Sequence, residues 1–380
     1  MSTSSIHDHD IIPSLDGIRA GSVLLVLIAH AGYGHIVPGG LGVTIFFFLS
    51  GYLITTLMLQ EHARLGAIDI RNFYLRRFFR LFPALFVALF ISYTLTLAGV
   101  LTGGVSIQGL VAQTFYYANY YLIYFNSENS IPDGTGVLWS LAVEEHFYIV
   151  FPIFMSLLLA VPLKARAIAG LIAAICVVVL SWRLYLVHVL DASHFRTYYA
   201  SDTRIDSIMY GCMLALAFNP IGDASRSQVN FDDARSMSRS EWCVLSAAVA
   251  LLLATLLIRD PAFRETLRYS LQGLALMPIF YFSVRYALQF PFRLLNNRYL
   301  VKLGVYSYAV YLAHFVVTIA LTKHFPALES NRPVLTLATL GLSVLFAVAI
   351  DIWVDPYFRS LRRQYKARAR KLEAGPEVQA

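Results

Sequence analysis

Residues 16–30 read D-G-I-R-A-G-S-V-L-L-V-L-I-A-H, and the apolar run that they open continues to about residue 34. A run of this length is what an α-helix needs to cross roughly 30 Å of hydrocarbon. Further apolar runs follow at 41–60, 82–101, 138–160, 166–190, 204–218, 241–258, 270–288, 303–321 and 333–354. They are continuous rather than alternating, which predicts helices and not the strands of a barrel. The expected fold is all-α, a polytopic transmembrane helical bundle of about ten helices. The run at 204–218 is short for a span, and the tyrosine-rich stretch 107–125 is expected to be a re-entrant or interfacial helix.

Composition agrees: 58% of residues are hydrophobic and 14% charged, and a mean hydropathy of +0.61 excludes an ordinary soluble protein. A net charge of +7 would suit a nucleic-acid partner, but its distribution does not. Most Lys and Arg fall in alternate loops and in the tail from Arg359 to Lys371, so the positive-inside rule predicts that both termini are cytoplasmic, with Arg259, Arg264 and Arg268 on the disfavoured side. The expected partner of this charge is anionic membrane lipid, and no nucleic acid. The loop from Leu101 to Val137 has no Lys or Arg, carries Glu128 and Asp133, and is expected to face outward. Residues 219–240 form a polar cytoplasmic loop, and the expected domain division is a transmembrane domain at 1–365 with a basic cytoplasmic tail at 366–380. The first dozen residues lack a basic stretch and a small-residue cleavage site, so the first span is expected to be retained. Cys176, Cys212 and Cys243 have no paired spacing and read as packing residues.

An ionisable group inside a membrane helix costs several kcal/mol or more unless it is relieved, so such groups are the candidates for function. Arg19 and His30 are eleven residues apart; at about 100° per residue this places them on one helical face, about 16 Å from each other. Arg19 could meet an anionic group and His30 could take a proton from a hydroxyl, or the two could simply be an inner anchor and a headgroup-level histidine. In R-N-F-Y-L-R-R-F-F-R-L-F-P, Arg76, Arg77 and Arg80 alternate with aromatic residues. This predicts an amphipathic interfacial helix offering guanidinium groups to phosphate, of lipid or of a nucleotide-bearing donor, with Pro83 starting the next helix.

W-S-L-A-V-E-E-H-F-Y puts Glu144, Glu145 and His146 inside a span, and two adjacent carboxylates cannot share a helical face, so at least one must look into the bundle. In R-I-D-S-I-M-Y-G, Arg204 and Asp206 are expected in ion pairs, as structure or as part of a site. Ser307, Tyr311 and His314 form one polar stripe in G-V-Y-S-Y-A-V-Y-L-A-H, which suits helix–helix hydrogen bonding or substrate contact equally. The histidines lie on different spans without ligand spacing, and no metal site is predicted.

These blocks, in order, resemble the acyltransferase 3 family of bacterial membrane enzymes that O-acylate carbohydrates: S-L-D-G-I-R with His30, G-V-T-I-F-F-F-L-S-G-Y-L-I, Y-L-R-R-F-F-R-L-F-P, W-S-L-A-V-E-E-H-F-Y, R-I-D-S-I-M-Y-G and S-Y-A-V-Y-L-A-H. The resemblance implies a multi-pass protein of the bacterial inner membrane. The implied donor is acyl-CoA, acetyl-CoA foremost, with no permanently bound cofactor; the implied acceptor is a carbohydrate hydroxyl, with polysaccharide-assembly proteins as further partners. It makes Arg19 and His30 the first-helix pair and Arg77 with Arg80 the Arg-x-x-Arg motif, with Arg19, Arg77 and Arg80 holding the donor. His30 is the expected general base, in direct transfer or through an acyl-histidine, with Glu144 and Glu145 as its catalytic companions. Trp139, Ser140, Arg204, Asp206, Tyr311 and His314 are the expected substrate contacts. Two positions depart from the family pattern: Thr44, where an acidic residue is common, and His146, where glutamine is common. The rival functions are a transporter or flippase of a lipid-linked sugar, which predicts symmetry between two halves that is not visible here, and a non-catalytic assembly subunit.

Overall fold

The computed structural model describes residues 14–125, 129–220 and 236–361. Among these residues the structure is helical, with one isolated antiparallel bridge between Gly103 and Pro132. In chain order the helices are α1 (Leu15–Ile28), α2 (Gly39–Leu65), α3 (Ile70–Leu97), α4 (Ile107–Thr114), α5 (Ala118–Tyr124), α6 (Trp139–Leu159), α7 (Ala165–His188), α8 (His194–Tyr199), α9 (Ser201–Ala217), α10 (Arg239–Leu257), α11 (Pro261–Glu265), α12 (Leu267–Arg285), α13 (Arg298–His324), α14 (Ala327–Ser330) and α15 (Arg332–Ala349). The first dozen residues, Glu128, most of the polar loop 219–240 and the basic tail 366–380 lie outside the described residues.

Each of the ten apolar runs is a helix, and among the described residues eight helices are long and apolar enough to cross a membrane. The two that fall short of that measure are α9 and α12. α9 has only 17 residues and is buried along most of its length, with Arg204 and Asp206 fully enclosed. Its polar groups therefore face protein rather than lipid, where they are less costly. The opposite case is α10, only 17% buried across its apolar window, against 78% for α2. Phe86, Phe90, Leu157, Val178 and Leu345 are all more than half exposed on the outer helices. Such a surface is stable against hydrocarbon and would aggregate in water.

The centre is built from α2, α9, α1 and α13. α2 and α9 touch backbone to backbone at Gly51 and Gly211: a Cβ on Gly51 would lie 1.9 Å from the Ile208 carbonyl oxygen, and one on Gly211 would lie 1.9 Å from that of Phe48. With no hydrophobic driving force between helices in lipid, this close approach supplies dispersion contact that larger residues would prevent.

Two expectations are corrected. Pro83 does not start a helix: α3 runs unbroken through it, so the arginine-rich segment and the span are one element, capped by Asp69 accepting from the Asn72 amide at 2.9 Å. A proline removes one backbone hydrogen bond, a loss that a long helix held by its neighbours tolerates. The stretch 107–125 is not one helix but two, α4 and α5, separated by Phe115 to Tyr117, with Tyr116 at positive φ. Ser106 caps α4 by accepting from the Gly109 amide at 2.9 Å and also donates to the Ser130 carbonyl at 2.8 Å, tying the 101–137 connection together. Cys176 and Cys212 are buried, whereas Cys243 is exposed on α10.

Candidate active site

α6 shows how one sequence segment serves three places. Successive residues of a helix turn by about 100°, and Glu144, Glu145 and His146 point in three directions. Glu144 faces a cavity between α1, α2, α3, α6 and α13 and accepts a hydrogen bond from Ser50. Glu145 faces a second cavity between α3 and α6, which Arg77 and Tyr116 also line. His146 turns to α9, with Nδ1 2.7 Å from Ser201 Oγ. Outside the spans, burial pushes the Tyr116 phenol above its ordinary pKa and the neighbouring Glu145 adds to the shift.

The first cavity encloses about 800 Å³ counted out to its open mouth. Arg19, Arg77 and Arg80 all line it, against the one carboxylate of Glu144. Arg19 is held by Asp16 at 2.5 Å, while Arg77 lies over the Tyr148 ring, with Cζ 4.5 Å from the centroid. Among the described residues neither Arg77 nor Arg80 has a carboxylate partner. Arg76, one residue away, faces elsewhere and pairs with Glu61 at 2.9 Å. The three-residue spacing of Arg77 and Arg80 puts both on the cavity face of α3 and leaves Arg76 off it. The wall beyond the arginines is made by α6 and α13, where Ser140 Oγ and Tyr311 Oη are 2.7 Å apart and Tyr311 donates to the Val137 carbonyl at 3.0 Å.

His30 does not line this cavity. α1 ends in a π-turn over Ala29–Tyr33, with Gly32 at φ 98°, and this turn aims His30 at α13. There its Nδ1 lies 3.0 Å from Nε2 of His314, which is fully buried one turn beyond Tyr311. The Phe315 ring packs against the His30 imidazole, centroids 4.3 Å apart. His314 Nδ1 in turn lies 2.6 Å from the Tyr311 carbonyl oxygen. The His30–His314 pair thus packs behind Tyr311 of the cavity wall, with the Tyr311 and His314 ring centroids 5.3 Å apart.

Trp139, Arg204 and Asp206 form a separate, closed group behind the cavity wall. Asp206 is paired at 2.7 Å with Arg183, a fully buried arginine of α7 that also donates to Ser270 Oγ and the Thr203 carbonyl at 2.6 Å each. The expected ion pair of Arg204 is not there: among the described residues it meets no carboxylate. It sits among Phe47, Trp139, Tyr198 and Tyr269, with the Tyr269 centroid 4.0 Å from Cζ, and donates to Thr44 Oγ1 at 3.2 Å. Cation–π attraction in a desolvated cage takes over from a counter-ion. Thr44 and the Tyr198 carbonyl are the hydrogen-bond acceptors of this guanidinium among the described residues.

Sequence reasoning did not single out Ser50, Tyr148, Tyr308 or Arg183. The last carried a signal, an arginine inside the 166–190 run, under the same rule that selected Arg19 and His30. The other three are ordinary helix residues whose place at the cavity depends on packing. Among the described residues no three His, Cys, Asp or Glu side chains come together as a candidate metal set.

Comparison with known proteins agrees with this architecture. The family model described as "Acyltransferase domain" matches residues 12–352. "Putative O-acetyltransferase SACOL0978" of Staphylococcus aureus (strain COL) is 28% identical over 356 residues, covering 92% of this chain and 57% of the relative. "Putative peptidoglycan O-acetyltransferase YrhL" of Bacillus subtilis (strain 168) is 30% identical over 332 residues, covering 86% and 51%. "Peptidoglycan O-acetyltransferase OatA" of Listeria monocytogenes serovar 1/2a is 26% identical over 364 residues, covering 92% and 56%. The chain therefore spans little more than half the length of these curated relatives. No solved structure matches. With its family model matched along nearly all of its length, the chain belongs to the acyltransferase 3 family of membrane proteins.

Proposed function

We propose that this protein is a membrane-bound O-acyltransferase that moves an acyl group, acetyl foremost, from acyl-CoA to a hydroxyl of a cell-wall or other surface carbohydrate. The observation that carries this reading is a cavity lined by three guanidinium groups, with a histidine pair packed behind Tyr311 of its wall. Coenzyme A brings several phosphate charges on a long flexible arm. Arg77 and Arg80, unpaired and on one face, suit the phosphates as bidentate donors, with Arg19 as the third cation. The arm would run along the Ser140–Tyr311 wall and place the thioester near His30. His30 takes the proton of the acceptor hydroxyl as its oxygen attacks the thioester carbon. Glu144, held by Ser50, is placed to orient the reacting groups rather than to start the reaction.

The arginine-rich end is the cytoplasmic one in this reading, with both termini on that side of the bacterial inner membrane, because acyl-CoA is a cytoplasmic compound and the charge asymmetry agrees. Relatives named as peptidoglycan O-acetyltransferases favour a polysaccharide acceptor. The test is turnover of radiolabelled acetyl-CoA by the protein in lipid nanodiscs, with a polysaccharide acceptor. Label should pass to the acceptor in wild type and be lost in His30→Ala and in the Arg77→Ala, Arg80→Ala double variant. Undiminished transfer by His30→Ala would overturn the assignment of the base.

A further inference from the structure

We infer that His314 is a positioning residue that fixes the tautomer of His30, leaving the His30 Nε2 lone pair as the one that takes the acceptor proton. The inference rests on the reading of His30 as the base, and its geometry is independent of the donor. The Tyr311 carbonyl oxygen, 2.6 Å from His314 Nδ1, can only accept, so His314 must carry its proton on Nδ1. A neutral imidazole has one N–H, which leaves His314 Nε2 bare. That atom lies 3.0 Å from His30 Nδ1, and two bare nitrogens at that distance would repel. His30 therefore donates from Nδ1 toward His314, with the Val26 backbone as a further hydrogen-bond partner of the ring, and its Nε2 carries the lone pair.

The surroundings make this order rigid. His314 is fully buried, Thr318 Oγ1 donates to the His314 carbonyl at 2.9 Å, and Phe315 holds the His30 ring from the side. The π-turn with Gly32 at φ 98° turns His30 toward this partner. The chemistry then balances without another group. The acceptor O–H proton moves to His30 Nε2 while the oxygen bonds the thioester carbonyl carbon. The resulting imidazolium keeps its Nδ1–H on the His314 lone pair, which stabilises the charge. Collapse of the adduct breaks the C–S bond, and the departing sulfur takes the proton from Nε2. The sum is thioester plus alcohol giving ester plus thiol.

The experiment is nitrogen-15 magnetic resonance of histidine-labelled full-length protein in nanodiscs. The His30 signals are identified by their loss in His30→Gln, and the acetyl-CoA kinetics of His314→Leu and His314→Gln are measured alongside. Leucine removes the acceptor; glutamine returns a carbonyl oxygen at about the reach of Nε2. The expected results are a wild-type His30 proton on Nδ1 and loss of that preference in His314→Leu. In that variant kcat should fall about a hundredfold or more at unchanged KM for acetyl-CoA, and His314→Gln should recover to within about tenfold of wild type. A His30 proton on Nε2 in wild type, or an Nδ1 preference unchanged in His314→Leu, would overturn the inference. If wild type shows the Nδ1 proton but transfers no acyl group, the pairing stands and the acyltransferase reading falls instead.

Discussion

Arg183 and Arg77 are both guanidinium groups on membrane-spanning helices, and their settings are opposite. Arg183 is sealed in protein, salt-bridged to Asp206 and hydrogen-bonded to Ser270 and two backbone carbonyls. Arg77 lines an open cavity with a tyrosine face against it; Glu144 and Glu145 share its cavities, but among the described residues it forms no ion pair with either. The first is closed by an ion pair; the second, among the described residues, is left with its guanidinium open to the cavity. A buried charge by itself marks either structure or function, and the state of its partners separates the two.

The largest effect expected from this contrast is on folding. Replacing Arg183 by Met leaves Asp206 buried without its cation, a change of about 3–5 kcal/mol by analogy with broken buried pairs. The expected outcome is loss of monodisperse protein in detergent, with recovery when Asp206→Leu is added, since an apolar pair carries no stranded charge. Arg77→Ala and Arg80→Ala should do the reverse. Each should leave the yield and thermal unfolding of the protein close to wild type, while raising KM for acetyl-CoA about tenfold to a hundredfold, the worth of a hydrogen bond between charged groups. If either arginine variant fails to fold and Arg183→Met folds normally, the distinction drawn here is wrong.

A middle-sized effect is expected for Arg204→Met. This cation has four aromatic neighbours and Thr44 but no carboxylate, so removing it strands no buried anion, and destabilisation should be about 1–2 kcal/mol in chemical unfolding. The smallest effect belongs to Arg76→Ala. Its pairing with Glu61 is solvent-side and off the cavity face, worth about 0–1 kcal/mol, so KM for acetyl-CoA should stay within about twofold of wild type.

The same contrast explains what the sequence could and could not tell. The apolar runs are legible because lipid imposes a length, and each proved helical; α9 fell short as a span because its polarity is spent on the interior. Pro83 misled because a local rule for helix starts was applied where neighbouring helices override it. Arg19, Arg77, Arg80, Ser140, Glu144 and Tyr311 were named from sequence and converge on one cavity. Their convergence is a property of packing, invisible along the chain. Glu145, named with Glu144, faces a different cavity because adjacent helical residues diverge. His30 and His314 were each singled out, but 284 positions separate them, and no local pattern could pair them. Arg183 carries the buried-charge signal inside the 166–190 run, but that its partner is Asp206 depends on packing.

The central claim is that the unpaired arginine face of this cavity receives the phosphates of a coenzyme A thioester. The most direct measurement is equilibrium binding of coenzyme A itself to the protein in nanodiscs, wild type against the Arg77→Ala, Arg80→Ala double variant, at low and high salt. The account predicts saturable binding to wild type that weakens with salt and falls about a hundredfold or more in the double variant. Equal affinity in the two proteins, or no binding to wild type at any salt concentration, would contradict it.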